Sequence, residues 1–359
     1  MTTFIIRRLF YGFMVLLGVI TLVFLLFNIL PGDPARMMLG QRADQESVDA
    51  IHKELGLDKP FVVQYFNYLN DLSPLSVHAV NESNHGWLTK LSDYKNAKGM
   101  LTIGNTVLVL KIPFLSKSYI SKRDVTEILS EAFPNTFILA TLSIIFAMIL
   151  GITIGSITAV VNAPVLNRIV LVVTAFGMAL PSFFAAIIMA WVFAFLLADY
   201  TGLNLFGSLY EVDDLGRGEV LQFKNLILPV FTLGIRPLAV ITELTRTSLL
   251  EVFSQDYIRT ARAKGLSRFR VVAVHALRNS LNPVITAVSG WYAASLAGAV
   301  FIEYIFDWKG IGIVIVDALE NYDLPVVMGS VLLIAFILII INIFVDLVYG
   351  LLDPRVSVT

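Results

Sequence analysis

Six stretches of this chain carry apolar residues on every face. They cover about 9–30, 135–161, 169–198, 226–250, 283–305 and 326–350. Each is long enough for the roughly 20 apolar residues that a helix needs to cross a bilayer core. The pattern therefore predicts an all-α membrane protein with six transmembrane helices. The third run contains Pro181 and fits either one tilted, kinked helix or a hairpin of two short pieces. Polar positions collect between the runs. The largest polar segment is 31–134, and a basic one lies at 251–279.

Charge orients the spans, because short cytoplasmic loops are enriched in Lys and Arg. Arg7 and Arg8 precede the first run, which places the N-terminus inside. With one span at 169–198, the basic segment 251–279 and Arg168 and Arg355 also fall inside. The acidic stretches "ADYTGLNLFGSLYEVDDLGRGEV" and "FDWKGIGIVIVDALENYD" then fall outside. A hairpin would reverse these assignments, so the single kinked span is preferred. The organisation expected is an anchor helix at 1–30, an extracytoplasmic segment at 31–134, a five-helix core at 135–350 and a cytoplasmic tail at 351–359. Arg7-Arg8 faintly resembles an export signal, but the apolar run behind it is too long and no small-x-small cleavage site follows.

Composition strengthens the membrane reading. The chain is 57% hydrophobic and only 15% charged, against about 25% charged in an average soluble protein. A net charge of −1 gives no reason to expect nucleic acid. Cysteine is absent and histidine occurs four times, so disulfides, thiolate metal sites and His-Glu-x-x-His chemistry are excluded and no metal is expected. No phosphate-binding Gly-x-x-x-x-Gly-Lys-[Ser/Thr] loop is present, so ATP chemistry is not expected in this chain. No nucleophile-and-base pair lies within a run, which makes an intramembrane enzyme the weaker class. A self-contained channel or secondary carrier remains open at this point.

Two runs carry small residues every fourth position: Gly151 and Gly155 in the second, and Gly290, Ala294 and Gly298 in the fifth. Such stripes let helices approach closely in lipid. They fit ordinary packing or the border of a translocation path. Arg236 stands about ten residues into the fourth run, where a charge is expensive by at least about 2.5 kcal/mol. It faces a water-filled path, an ion-pair partner such as Glu243, or another subunit.

The basic segment reads as helix, sharp turn, helix. "VFSQDYIRTARAKG" lacks Pro and is rich in good helix formers. Gly265 supplies a stop that takes a left-handed conformation. Ser267 is an N-cap for a second helix whose apolar residues are Leu266, Phe269, Val272 and Leu277. Composition alone leaves two roles open, a docking element or an amphipathic loop on anionic lipid. Arg259, Arg262 and Lys264 suit acids on a partner or lipid phosphate equally well.

Resemblance separates them. Arg259-Thr260-Ala261, followed by Gly265, resembles the "EAA" cytoplasmic coupling loop of ATP-binding-cassette importer permeases. The wording "YIRTARAKGL" and "HALRN" is closer to the dipeptide, oligopeptide and nickel subfamily. "PGDP" at 31–34, "ELGLDKP" at 54–60, "PNTFILA" at 134–140, "GMALPSFF" at 177–184, "TRTSLLEV" at 245–252, "LAGAVFIEYIF" and "VDLVYGLLDPR" are similar as well. The resemblance implies a type I importer permease whose ATPase-coupling residues are Tyr257, Arg259, Thr260, Ala261, Arg262, Ala263, Lys264, Gly265 and Leu266, with Tyr257, Ala261 and Leu266 giving the docking helix a small apolar face. It implies no cofactor in this chain, with ATP and Mg on two partner ATPase subunits. A second homologous permease, an extracytoplasmic substrate-binding protein and the inner membrane complete the partners. Two departures are visible. Lys309 stands where the family usually has Pro, and 73–113 is an insertion. Its "MLTIGNTVLVLKIP" predicts a small external β element turning at Gly-Asn.

Overall fold

The computed structural model describes residues 2–29, 34–39, 44–54, 56–79, 98–104, 106–161, 163–212 and 218–352. It begins with α1 (Thr2–Ile29), then three shorter helices, α2 (Pro34–Leu39), α3 (Gln45–Glu54) and α4 (Phe61–Leu72). Three strands follow, β1 (Leu75–Ala79), β2 (Lys98–Ile103) and β3 (Thr106–Leu110), and then the long α5 (Val125–Val161). The third run is divided into α6 (Pro164–Ala179) and α7 (Ser182–Met189), which continues as a π-helical stretch over Ala190–Leu196 before α8 (Ala198–Thr201). A hairpin of β4 (Tyr210–Val212) and β5 (Glu219–Leu221) leads into α9 (Lys224–Phe253). The basic segment forms α10 (Asp256–Ala263), α11 (Arg268–Arg270), a π-helical stretch over Val271–Ala276 and α12 (Leu277–Ser280). The chain then builds α13 (Asn282–Gly298), α14 (Val300–Phe306), α15 (Ile311–Glu320) and α16 (Leu324–Leu352).

All six apolar runs lie on helices. Among the described residues, α1, α5, α9 and α16 are each long and apolar enough to cross a membrane, and two bent pairs raise the total to six if each pair is one span. The bends are 109° between α6 and α7 with its π stretch, and 52° between α13 and α14. The first is far sharper than a kinked rod. Proline has no N–H to donate and disfavours a helical conformation in the residue before it. Leu180 and Pro181 are accordingly both extended, at ψ 128° and 139°. The chain is mostly helical, as expected, and two small antiparallel sheets are added to the helices.

The chain folds as two compact units. The first holds residues 1–131 and 314–339. Its core joins Val125 and Leu129 to Ala318, Val326 and Val327, with Phe27 and Leu115 against them. Val125 and Leu129 are one helical turn apart, while Glu127 and Glu131 reach toward the exposed Arg123. This amphipathic prelude starts α5 ten residues before its apolar run. Asp323, buried just ahead of α16, accepts from Ser118 Oγ at 2.5 Å and from the Tyr119 N–H at 3.0 Å. Burial and then the Asp323 charge push the Tyr119 phenol up to about 12. The expected β element is present as a three-stranded sheet in the order β1-β3-β2. Gly104 takes φ +60° at the β2–β3 turn, and Asn105 lies outside the described residues.

The second unit holds residues 132–313 and the end of α16. Here α5 and α9 cross at glycine. A Cβ on Gly151 would stand 2.8 Å from Ile241 Cγ2, and one on Gly155 would stand 2.6 Å from the Thr242 carbonyl oxygen. The first stripe of small residues is therefore a packing groove. By contrast, a Cβ added to Gly290 or Gly298 of α13 would meet nothing within 4 Å, and Ala294 between them is exposed. The turn after α14 closes on a buried carboxylate. Glu303, 0% exposed, accepts from the Gly312 N–H at 2.6 Å, and a Cβ on Gly310 would strike its oxygens. Trp308 is buried and donates its indole N–H to the Asn135 carbonyl, while Asn135 donates to the Lys309 carbonyl. Lys309 itself is exposed, so a lysine in the place of proline leaves this turn intact.

Candidate functional site

The basic segment is built outward from α9. That helix ends at Phe253, and Gln255 turns the chain with an extended ψ of 147°. α10 then lays Ile258 and Ala261, one turn apart, into a core with Leu249, Ala159, Val271 and Ala276. Its other face leaves Tyr257, Arg259, Thr260, Arg262, Ala263 and Lys264 exposed. Ala261 thus anchors α10 from beneath, contrary to its expected place on an outward apolar face. Leu266 is half-buried in the same core.

Gly265 takes φ +77°, as the sequence predicts. Its N–H donates to the Arg262 carbonyl at 3.0 Å, and the Leu266 N–H donates to the Ala261 carbonyl at 3.4 Å. These two bonds make a Schellman ending. Ser267 then caps the next helix, accepting from the Arg270 N–H at 3.4 Å. The second helix meets expectation at Leu266 and Leu277, which pack against that core, and departs from it elsewhere. Its middle is π-helical, so its buried residues are Val271 and Ala276, five positions apart. Phe269, expected on the apolar face, is 82% exposed.

Polar ties hold the loop to its surroundings. Asn279 donates to the Tyr257 hydroxyl at 3.0 Å, joining α12 to α10. The Arg268 guanidinium donates to the Val160 carbonyl in the last turn of α5, where a cation is favoured by the helix dipole. Arg262 lies over the Phe253 ring at 5.7 Å. Arg259 and Asp256 approach to 3.6 Å with both side chains almost wholly in solvent, so this pair contributes little. The free surface is consequently basic around a small rigid helix. Sequence reasoning missed Arg268 and Asn279. Asn279 carries no local signal of its bond to Tyr257, and the partner of Arg268 is 108 residues away.

Arg236 lies in α9 with its side chain exposed. Its guanidinium sits 5.8 Å from the centre of the Trp291 ring of α13. Among the described residues it makes no ion pair, with Glu243 or any other acid. A cation over an indole face is attracted by the ring quadrupole, which answers part of the cost of placing the charge in an apolar helix. Trp291 neighbours Gly290, so Arg236 stands beside the open stripe of small residues on α13.

Comparison with known proteins places these features in a family. A family model described as the inner membrane component of binding-protein-dependent transport systems matches residues 151–358, and the N-terminal model of such membrane components matches residues 1–84. The chain is 35% identical over 371 residues to the di/tripeptide transport system permease protein DppB of Pseudomonas aeruginosa, covering 99% of each. It is 34% identical over 373 residues to the dipeptide transport system permease protein DppB of Escherichia coli, again covering 99% of each. The DppB protein of Alkalihalophilus pseudofirmus is 31% identical over 373 residues, covering 99% of this chain and 100% of the other.

Proposed function

Because the chain belongs to the family of inner membrane components of binding-protein-dependent transport systems, we propose that it is the permease subunit of an ATP-driven importer of di- or oligopeptides. The observation that carries the cargo class is full-length similarity to permeases named for dipeptide and di/tripeptide transport. In this reading the four long helices and two bent pairs are six spans. Both termini and the basic segment lie in the cytoplasm. A second, homologous permease completes the pathway, two ATPase subunits carrying ATP and Mg dock on the cytoplasmic side, and an external binding protein delivers cargo.

The loop supports a coupling role through its geometry. A partner touching Tyr257, Thr260, Arg262 or Lys264 pushes on a helix whose underside is packed against the ends of α5 and α9. The Arg268 bond to Val160 and the Asn279 bond to Tyr257 make the loop follow as one body. ATPase closure is thereby converted into a shift of two spans. Arg259, Ala263 and Leu266 complete the coupling segment, with Ala261 and Gly265 setting its shape.

The test uses the complete transporter reconstituted in liposomes. Gly265→Val imposes a positive φ on a β-branched residue, at about 1–2 kcal/mol. It is expected to leave insertion intact while lowering peptide-stimulated ATP hydrolysis and peptide uptake. Gly265→Asn, which tolerates the left-handed conformation, is expected to retain both. Unchanged stimulation in the valine variant would remove the coupling assignment.

A further inference from the structure

α4 is built the wrong way round for water. Its sequence FVVQYFNYLNDL contains Gln64, Asn67, Asn70 and Asp71, each half-buried, while the most exposed positions are apolar. Gln64 donates to the Leu57 and Lys59 carbonyls at 3.2 and 2.8 Å. Asn70 donates to the Val77 carbonyl and accepts from the Val77 N–H, both at 2.9 Å, fastening the helix to β1. The residues left on the outer surface are Phe61, Val62 and Phe66, at 46%, 61% and 55% exposure. A water-facing helix shows the opposite arrangement.

The attachment to α1 fixes the level of this surface. Phe24 of α1 packs against Phe61, Tyr65 and Tyr68, with ring centres 5.1–5.5 Å apart. Thr21 of α1 shares a hydrogen bond of 2.7 Å with the Tyr65 hydroxyl. The apolar span of α1 runs from Ile6 to Asn28. Phe24 and Thr21 therefore lie four and seven residues inside its end, about 6 and 10 Å at 1.5 Å per residue. Amphipathic helices that rest in a bilayer interface bury their apolar face about 5–10 Å into the headgroup and acyl boundary. The two depths coincide. Tyr65 and Tyr68 supply the aromatic residues enriched at that level.

We propose that α4 is an interfacial membrane helix, with Phe61, Val62 and Phe66 seated among the upper acyl chains of the leaflet at the C-terminal end of α1. The occupant of this face is lipid rather than a lipid headgroup of particular charge, because α4 carries no basic residue. The segment after the first span then begins as part of the membrane surface instead of leaving it at once for water. The inference rests on α1 being a membrane span, and the controls below separate the two.

The chain has no cysteine, so single nitroxide labels are placed by substitution. Val62→Cys and Phe66→Cys report on α4. Leu22→Cys, on the 58% exposed flank of α1, reports on the span, and Glu46→Cys on α3 is a polar reference. Each full-length variant is incorporated with its partner subunits into phosphatidylethanolamine–phosphatidylglycerol vesicles. Collisions with molecular oxygen and with a water-soluble nickel chelate are measured by electron paramagnetic resonance. Val62 and Phe66 are expected to show high oxygen and low nickel accessibility, as Leu22 does, and the reverse of Glu46. High nickel accessibility at Val62 and Phe66 with a lipid-like Leu22 would overturn the proposal alone. Low accessibility to both reagents would overturn it in favour of a protein partner on this face. A water-like Leu22 would remove the membrane reading of α1 itself.

Discussion

Arg236 holds its guanidinium over Trp291 and has no acid beside it among the described residues. Lipid cannot solvate that charge, so the indole leaves a requirement for water or an anion. If the group lines the path, its forked donors suit a peptide C-terminus. Arg236→Gln is then expected to insert and assemble normally yet take up free-acid peptides about tenfold more slowly or worse, with C-terminally amidated peptides affected much less. Equal loss for both peptides in an uptake assay, at normal complex yield, would sink the carboxylate role. The same scale shows what local chemistry makes legible. Gly265 and Ser267 act through bonds to residues within four positions, so their roles are readable from spacing. Trp291 and Arg268 act through partners brought together only by the folded helices, and no nearby residue announces them. Phe269 escapes its expected face because a π-helical register moves the buried positions to Val271 and Ala276.

The helices themselves are legible wherever they are uniformly apolar, because burial in lipid demands that composition. The remaining elements follow other rules. The first turns of α5 carry Glu127 and Glu131 on one side and bury Val125 and Leu129 on the other. A window averaging over all faces reads them as loop. The β4–β5 hairpin has three residues per strand, too few to show alternation. Small-residue stripes have one spacing but two fates, which a paired substitution separates. Gly155→Ala must push apart α5 and α9, since its Cβ would stand 2.6 Å from backbone. It is expected to cost about 1–3 kcal/mol, seen as a lower apparent Tm of the chain in detergent. Gly298→Ala meets nothing within 4 Å and is expected to leave that Tm unchanged while weakening any close approach of a second subunit to α13. A Gly155→Ala protein as stable as the parent would contradict the tight crossing.

At the scale of the whole molecule, low charge and six apolar runs point to the membrane, and the uneven placement of Lys and Arg points to an orientation. The 109° break at Pro181 makes that orientation worth testing directly, because a span and a re-entrant pair differ in which side every later loop occupies. Single cysteines at Glu219 and Asn321, both exposed, are expected to react with an impermeant thiol reagent added outside intact cells. One at Ser267 is expected to react only after permeabilisation. Labelling of Ser267 from outside would overturn the six-span order. Hydropathy alone marks the start of the second run, not the start of its helix, since α5 runs through Pro134 without interruption.

The π-helical stretch Val271–Ala276 amounts to an α-helix with one residue to spare. The Leu277 N–H reaches back five positions to Val272 instead of four, and Val271 and Ala276 share a face only on that count. Loss of a single codon here would leave a regular helix with both anchors still inward, whereas the same deletion in α10 would turn Ile258 and Ala261 onto different faces. The loop therefore tolerates the loss of one residue on one side of Gly265 and not on the other.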